Sequence, residues 1–328
     1  MVVSAQQTNK MTPNSKFEKL IRHPAVVCLV AMVCCALWGS AFPFIKIGYS
    51  LFKVNSDDVS TQILFAGVRF FLAGVLVVLF GSAISKKFLC PKAENIWRVS
   101  ALSLFQTVLQ YSFFYIGLAH TTGTKSSVLN STGVFFAVVI SCILLKQEKM
   151  SWQKIIGCVI GFAGTVIINV AGGDFGGGFS LLGEGFIILS SVSYAMSSVL
   201  IKQFSKRENT VTLSGYQFAL GGLVMIVFGL ASGGRLSGDI GIVGILLLIY
   251  LSFLSAVAYT LWGVLLKYND VSKVAVFGFM TPVFGCLFSA LFLKEGMAGN
   301  SLKTIIALAL VCLGIVIVNI NKKHSVCN

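Results

Sequence analysis

Leu37-Trp38-Gly39-Ser40-Ala41-Phe42-Pro43-Phe44-Ile45-Lys46 lies inside the first long apolar run of the chain, which extends from about Ala25 to Gly48. A soluble core helix gains nothing from a proline and a lysine at these positions. In a helix, Pro43 removes one backbone hydrogen bond and kinks or loosens the neighbouring turn. Trp38, Phe42 and Lys46 stand at i, i+4 and i+8 and so share one face. An aromatic, aromatic, cation stripe beside a proline suits the wall of a path through a membrane. The same residues also fit a plainer role, with Trp38 packed between helices and Lys46 reaching to lipid headgroups. An echo of the stretch later in the chain favours the path.

Composition decides the solvent. The chain has 328 residues, 56% hydrophobic and 11% charged, against about 25% charged in soluble domains. It reads as an integral membrane protein with no separate soluble domain. The first run is longer than the ~7–15 residues of a signal h-region and has no cleavage site ahead of a polar mature chain. Net charge is +14, yet the basic residues punctuate apolar runs as topology-setting loop residues do. Nucleic acid is therefore not an expected partner. The nine cysteines fall mostly inside apolar runs with no CxxC pair, which is the usage of small packing residues. His23, His120 and His324 sit at run edges or in the tail, so no metal or other cofactor is expected.

Residues 1–24 form a polar, basic tail. Ten apolar runs follow, at 25–48, 62–82, 99–118, 125–145, 154–171, 182–201, 211–231, 240–266, 271–293 and 302–320. Each is near the length that crosses a ~30 Å hydrocarbon core as a helix. The fold class is all-α and polytopic. Of the 25 Lys and Arg, 18 fall on the side of the N-terminus, 5 on the other, and Lys46 and Arg69 lie within spans. That bias places both termini in the cytoplasm. The plasma (cell inner) membrane is the expected location.

The chain repeats itself. A shift of 148 residues aligns Arg69-Phe70 with Gln217-Phe218, Tyr111 with Tyr259, Lys125 with Lys273 and Phe136 with Phe284. It also sets Leu145-Lys146-Gln147 on Leu293-Lys294-Glu295. A shift of 156 sets Trp38 on Tyr194 and Ile45-Lys46 on Ile201-Lys202, the echo of the opening stretch. The expected organisation is a first five-helix repeat at 25–171, a Gly-rich linker at 172–181, a second repeat at 182–320 and a tail at 321–328. Five helices per half turn the second half upside down, the arrangement in which secondary transporters build a midplane site. A duplicated channel or a membrane scaffold is the reading from another class.

Several motifs now carry a family resemblance. Ala36-Leu37-Trp38-Gly39-Ser40-Ala41-Phe42 resembles the helix-1 signature of EamA-type transporters in the drug/metabolite transporter superfamily, and Arg69-Phe70 is similar to that family's RF pair. Leu144-Leu145-Lys146-Gln147-Glu148 and Phe292-Leu293-Lys294-Glu295 resemble its LGE-type ends of helices 4 and 9. Thr281-Pro282-Val283-Phe284 resembles its helix-9 proline motif; the first half has Gly133-Val134-Phe135 instead, so that helix is expected to be straighter. The resemblance implies a ten-helix, two-repeat exporter or importer of small metabolites with a central cavity. It implies no substrate.

A transport path turns polar groups to a cavity, because facing lipid is costly. The eighth run puts Ser252, Ser255, Tyr259 and Trp262 on one face, and 148 residues earlier stand Leu104, Thr107, Tyr111 and Phe114. Hydroxyl, tyrosine and aromatic recur in order. Gln106 and Gln110 lie beside that face, while Ser127, Asn130, Ser131, Ser190, Tyr194, Ser197 and Ser198 come from runs four and six. Any one hydroxyl can instead bond helix to helix. No Asp or Glu falls mid-span, which disfavours carboxylate-coupled proton or sodium symport. Lys46 and Arg69 would attract the carboxylate or phosphate of an anionic or zwitterionic solute. The candidate substrate-binding residues are therefore Trp38, Phe42, Lys46, Arg69, Gln106, Gln110, Tyr111, Asn130, Tyr194, Ser198, Tyr259 and Trp262.

No enzyme is expected. There is no P-loop, no paired-carboxylate motif and no deep histidine to serve a serine nucleophile. Secondary transport fits best, as export of amino acids or related carboxylated or aromatic metabolites. A nucleotide-sugar or sugar-phosphate exchanger is the rival within transporters. The expected partners are a small-molecule substrate and the lipid bilayer, around a chain able to act as a monomer.

Overall fold

The computed structural model describes residues 15–55, 57–121, 123–170, 179–237, 241–293 and 301–320. Every regular element among them is helical. α1 (Ser15–Ile21) precedes α2 (Pro24–Leu51), which starts on Pro24, where a missing N–H costs nothing, and carries Pro43 without ending there. α3 (Val59–Ser85) is capped by Asp58, whose carboxylate accepts from the Thr61 amide at 3.0 Å and its hydroxyl at 2.6 Å. α4 (Ile96–Ser103) passes through a π-helical stretch, Leu104–Leu109, into α5 (Gln110–Ala119). α6 (Gly123–Asn130) and α7 (Gly133–Val139) are followed by a second π stretch at Ile140–Leu144, then by α8 (Trp152–Val170).

In the second half, a π turn at Leu181–Gly185 leads into α9 (Phe186–Phe204). Asn209 caps α10 (Thr210–Ala231), with its side-chain oxygen accepting from the Val211 amide at 2.8 Å. α11 (Ile242–Tyr268), α12 (Val271–Ala275), a 3-10 turn at Val276–Phe279, α13 (Met280–Leu293) and α14 (Ser301–Asn319) are the remaining helical elements among the described residues.

Among the described residues, 7 helical runs are long and apolar enough to cross a membrane. The runs expected at 125–145, 154–171 and 302–320 are shorter apolar helices, Val128–Leu144, Trp152–Ile167 and Ile305–Asn319. The first of these corrects the expectation of a straighter helix. It breaks at Ser131-Thr132, where the Thr132 hydroxyl turns back to the Leu129 carbonyl. Pro282, by contrast, sits in the first turn of α13, where its lack of an N–H interrupts nothing.

Helices from opposite halves of the chain pack in reciprocal pairs. α3 lies along α10 and α8 along α14, while α2 touches α11 and α13 as α9 touches α5 and α7. Small residues let backbones meet at the two long crossings. A Cβ added at Gly74 would stand 2.3 Å from the Ala219 nitrogen, and one at Gly222 would stand 2.3 Å from the Phe71 nitrogen. Gly67 and Gly74 are the 148-shifted counterparts of Gly215 and Gly222. Between α8 and α14, Gly157 approaches Gly314 and Gly164 approaches Ala307 in the same reciprocal way at a shift of 150.

Asn269, just past α11, donates to the Ile21 carbonyl at 3.2 Å, which places the end of α11 beside α1. Toward this terminal end the halves close on a dry core that includes Ala195, Val199, Trp262, Leu266 and Val274.

Candidate functional site

A cavity of about 330 Å³ opens between the halves, away from the terminal end. The second half of α2 contributes Trp38, Ala41, Phe42, Ile45, Lys46 and Tyr49, all on one helical stripe. Arg69 comes from α3, Gln110, Tyr111, Phe114 and Tyr115 from α5, and Ser126, Asn130 and Ser131 from the broken fourth run. α9 adds Ser190 and Tyr194, α11 adds Ser255 and Tyr259, and α13 adds Thr281 and Pro282.

Tyr111 and Tyr259 of the cavity wall belong to a closed circuit of rings completed behind it by Phe70 and Phe218. Tyr259 meets Phe218 edge-on at 5.0 Å, Phe218 stacks on Phe70 at 5.4 Å, and Phe70 tilts against Tyr111 at 4.3 Å. The Tyr111 and Tyr259 hydroxyls close the circuit at 2.5 Å. Phe70 and Phe218, like Tyr111 and Tyr259, stand 148 residues apart, so repeat-related residues touch each other here. Trp38 lies edge-on to both Tyr259 and Trp262, at 5.0 Å from each.

Arg69 breaks this symmetry. At the matching position, the Gln217 side-chain oxygen accepts from the Thr107 hydroxyl at 2.8 Å. The counterpart of Thr107 is Ser255, whose hydroxyl instead donates to Leu251 in its own helix at 3.0 Å. Arg69 is 3% exposed, and its Nε and Nη1 have no hydrogen-bond partner. Its guanidinium lies 4.4 Å from the Phe70 ring centroid, a contact that satisfies charge but no N–H. The orphaned donors Trp38 Nε1, Tyr49 Oη and Ser126 Oγ, and the orphaned acceptor Gln110 Oε1, belong to other residues of the same wall. Lys46 and Arg69 are the charged groups of the wall, and no acidic residue joins them among the described residues.

The Thr107–Gln217 bond yields one stability test. Thr107→Val would strand the Gln217 oxygen in a dry site, at an expected cost of about 1–3 kcal/mol. Adding Gln217→Leu to Thr107→Val should recover most of that loss in a thermal melt. A double variant no better than the single one would count against the bond.

Of the residues singled out by sequence, Trp38, Phe42, Lys46, Arg69, Gln110, Tyr111, Asn130, Tyr194 and Tyr259 meet at this cavity. Gln106, Ser198 and Trp262 do not line it. Gln106 is buried in the π stretch, Ser198 donates to the Tyr194 carbonyl at 3.0 Å, and Trp262 is 2% exposed behind Trp38. The Ser127 side chain lies outside the described residues. Tyr49, Tyr115 and Thr281 are wall residues that sequence reading passed over. Tyr115 follows Tyr111 by one turn and Tyr49 extends the Trp38 stripe, so helical spacing alone could have found both.

A second polar cluster closes the terminal end. Glu148, 3% exposed at its side chain, follows the second π stretch. It receives Lys154 Nζ at 2.8 Å, with Lys202 Nζ at 3.6 Å. It also accepts from the Val271 amide, and from the Ser272 amide at 3.3 Å and hydroxyl at 2.5 Å. Burial alone would raise this carboxyl, but Lys154, Ser272 and Lys202 outweigh it and hold the group below its ordinary value of 4.5. The Glu148 carboxylate is therefore charged above that value, and its contribution is lost as pH falls through the depressed one.

The EamA-like transporter family profile matches residues 25–170 and again residues 181–320. The chain belongs to that family. It is thus a membrane transporter of the drug/metabolite transporter superfamily, and not an enzyme. An uncharacterized transporter of Archaeoglobus fulgidus is 30% identical over 262 residues, covering 79% of this chain and 86% of its own. The uncharacterized transporter YvbV of Bacillus subtilis is 28% identical over 291 residues, covering 88% and 89%. The WAT1-related chloroplastic protein At3g02690 of Arabidopsis thaliana is 27% identical, covering 70% of this chain and 57% of that one. A solved crystal structure at 19% identity superposes with a TM-score of 0.73 over 90% of this chain and 96% of its own, a likeness of fold.

Proposed function

We propose that this EamA-like transporter moves small carboxylated metabolites, amino acids or related partly aromatic acids, through the cavity at Arg69. The observation that carries the reading is a buried guanidinium with unpartnered N–H groups in an aromatic wall that holds no acidic residue among the described ones. A carboxylate is the ligand that answers both the charge and the fork of donors. Tyr49 and Trp38 offer further donors, and Gln110 Oε1 is an acceptor suited to an ammonium group. A volume of about 330 Å³ is at the small end of the ~300–1,000 Å³ range of ligand pockets. That size favours a small acid over a nucleotide-linked sugar.

The reading extends to ten spans in two inverted halves, residues 25–171 and 182–320, that rock about the cavity. Reciprocal helix pairing and the double match of the family profile support it. In the cell both termini face the cytoplasm of the plasma membrane, and export is the net direction. Exchange or movement down the solute's own gradient supplies the drive, since no carboxylate in the described wall is placed to carry a coupled proton or sodium ion.

Counterflow in proteoliposomes tests this. Vesicles loaded with unlabelled amino acids and organic acids should show saturable overshoot of a labelled acid without an ion gradient. Equilibration without overshoot would indicate a channel. Overshoot confined to nucleotide-linked sugars or sugar phosphates would replace the amino-acid reading.

A further inference from the structure

The Glu148 cluster joins the two halves of the chain at the end opposite the cavity. Glu148 and Lys154 belong to the first half, whereas Lys202, Val271 and Ser272 belong to the second. Its contacts are therefore of two kinds: Lys154 holds the carboxylate from its own side, and the other three bind it across the divide. Lys202 is tied down further by the Asn269 carbonyl at 2.8 Å and by Asp270 at 3.8 Å. Gln147, the preceding residue, donates across the same divide to the Val199 carbonyl at 3.2 Å. The core around Ala195, Val199 and Val274, each fully buried, packs at this end of the bundle.

The repeat gives the arrangement a direction. Lys202 is the counterpart of Lys46, which stands exposed at the cavity wall. The two lysine positions thus sit at different ends of the bundle, Lys46 at the cavity wall and Lys202 in the Glu148 cluster.

We propose that Glu148 is a lock that holds the terminal end of the transporter shut, by bridging Lys202 and the Val271–Ser272 backbone across the two halves. The proposal rests on the alternating-access reading above. Removing the carboxylate leaves Lys154 and Lys202 as two half-buried like charges without the anion they share, and two backbone amides without an acceptor. Each of these favours separation of the halves and entry of water into the core at this end.

The groups facing Glu148 are Lys154 on α8, Lys202 on α9, with Asp270 and Lys273 beyond them around the start of α12. The carboxyl, held below its ordinary value by Lys154, Ser272 and Lys202, is charged at neutral pH.

The test uses full-length protein with the nine native cysteines replaced and Val199→Cys as reporter, reconstituted in vesicles with the terminal end accessible. A membrane-impermeant methanethiosulfonate reads whether water reaches position 199. Glu148→Gln and Lys202→Met should each raise the labelling rate by ~10-fold or more, the change a modest population shift produces. Lys154→Met, which removes only the contact within one half, should change it by less than about threefold. Labelling of Glu148→Gln and Lys202→Met at the parental rate overturns the lock, as does an equal response from Lys154→Met. If Glu148→Gln fails to give a monodisperse protein, Lys202→Met and Ser272→Ala decide the matter by the same rate.

The readout needs no substrate, so it separates the two claims. A labelling response with no counterflow of any acid leaves the lock standing and removes the substrate reading. Counterflow without a labelling response removes the lock alone.

Discussion

Arg69→Gln is expected to cut counterflow of a carboxylated tracer by ~100-fold and, in the same protein, to raise the melting temperature. The first effect follows from losing two charge-assisted hydrogen bonds worth about 1.5 kcal/mol each, since 1.4 kcal/mol is a factor of ten. The second follows from the empty state, in which the guanidinium is buried and its Nε and Nη1 lack partners. Holding an unpaired cation away from water costs several kcal/mol in comparable sites. Glutamine removes that cost, and the matching glutamine at position 217 is accommodated in the equivalent setting. A gain in stability of ~1 kcal/mol or more with loss of transport marks a residue kept for its ligand. Arg69→Lys should recover the charge but not the fork, and so only part of the activity. Unchanged transport, or a loss of stability in Arg69→Gln, would refute the assignment.

Gly74→Ala and Gly222→Ala are each expected to cost ~3 kcal/mol or more, at or beyond the top of the usual range for overpacking. The added Cβ would stand 2.3 Å from a backbone nitrogen of the facing helix at both sites. Neither nitrogen can rotate away as a flexible side chain would, so α3 and α10 must move apart along their crossing. The loss is measured against the ~1 kcal/mol that alanine would gain over glycine in an unobstructed helix. Gly241→Ala is the control, because nothing lies within 4 Å of its added Cβ. Thermal melts followed by size-exclusion fluorescence should show a large fall for the first two and a loss of no more than ~1 kcal/mol for the third, the cost of alanine at the N-cap of α11. A normal melt for Gly222→Ala would mean that the crossing is looser than described.

Much of this is legible in the chain itself. The shift of 148 residues ties Tyr111 to Tyr259 and Phe70 to Phe218, and these are the pairs that touch in the ring circuit at the cavity. Arg69 stood out because a charge within an apolar run demands a reason. What stayed hidden depends on which face of a helix meets which neighbour. Trp262 shares a helical face with Tyr259, yet it ends up behind Trp38, because α2 crosses that face before the cavity begins. Gln106 lies one turn before Gln110, but the π stretch at Leu104–Leu109 alters the turn between them.

Glu148 was the least legible residue. By sequence it ends an apolar run, where exposed carboxylates are common. Its burial depends on Lys202 and Ser272, far along the chain and brought near only by packing of the two halves. The break at Ser131-Thr132 carried no proline to announce it.

The contacts of Phe70 with Phe218 and of Tyr111 with Tyr259 have a consequence of parity. Where a residue meets its own counterpart, an assembly of two identical halves holds every nearby side chain an even number of times. An arginine at both positions 69 and 217 would bury two guanidiniums beside one cavity, and a glutamine at both would leave Lys46 as the charged group of the described wall. A single buried arginine at such a place needs halves that differ, and so a continuous chain in which each copy is free to change alone. Arg69 opposite Gln217 is the odd member that fusion into one polypeptide made possible.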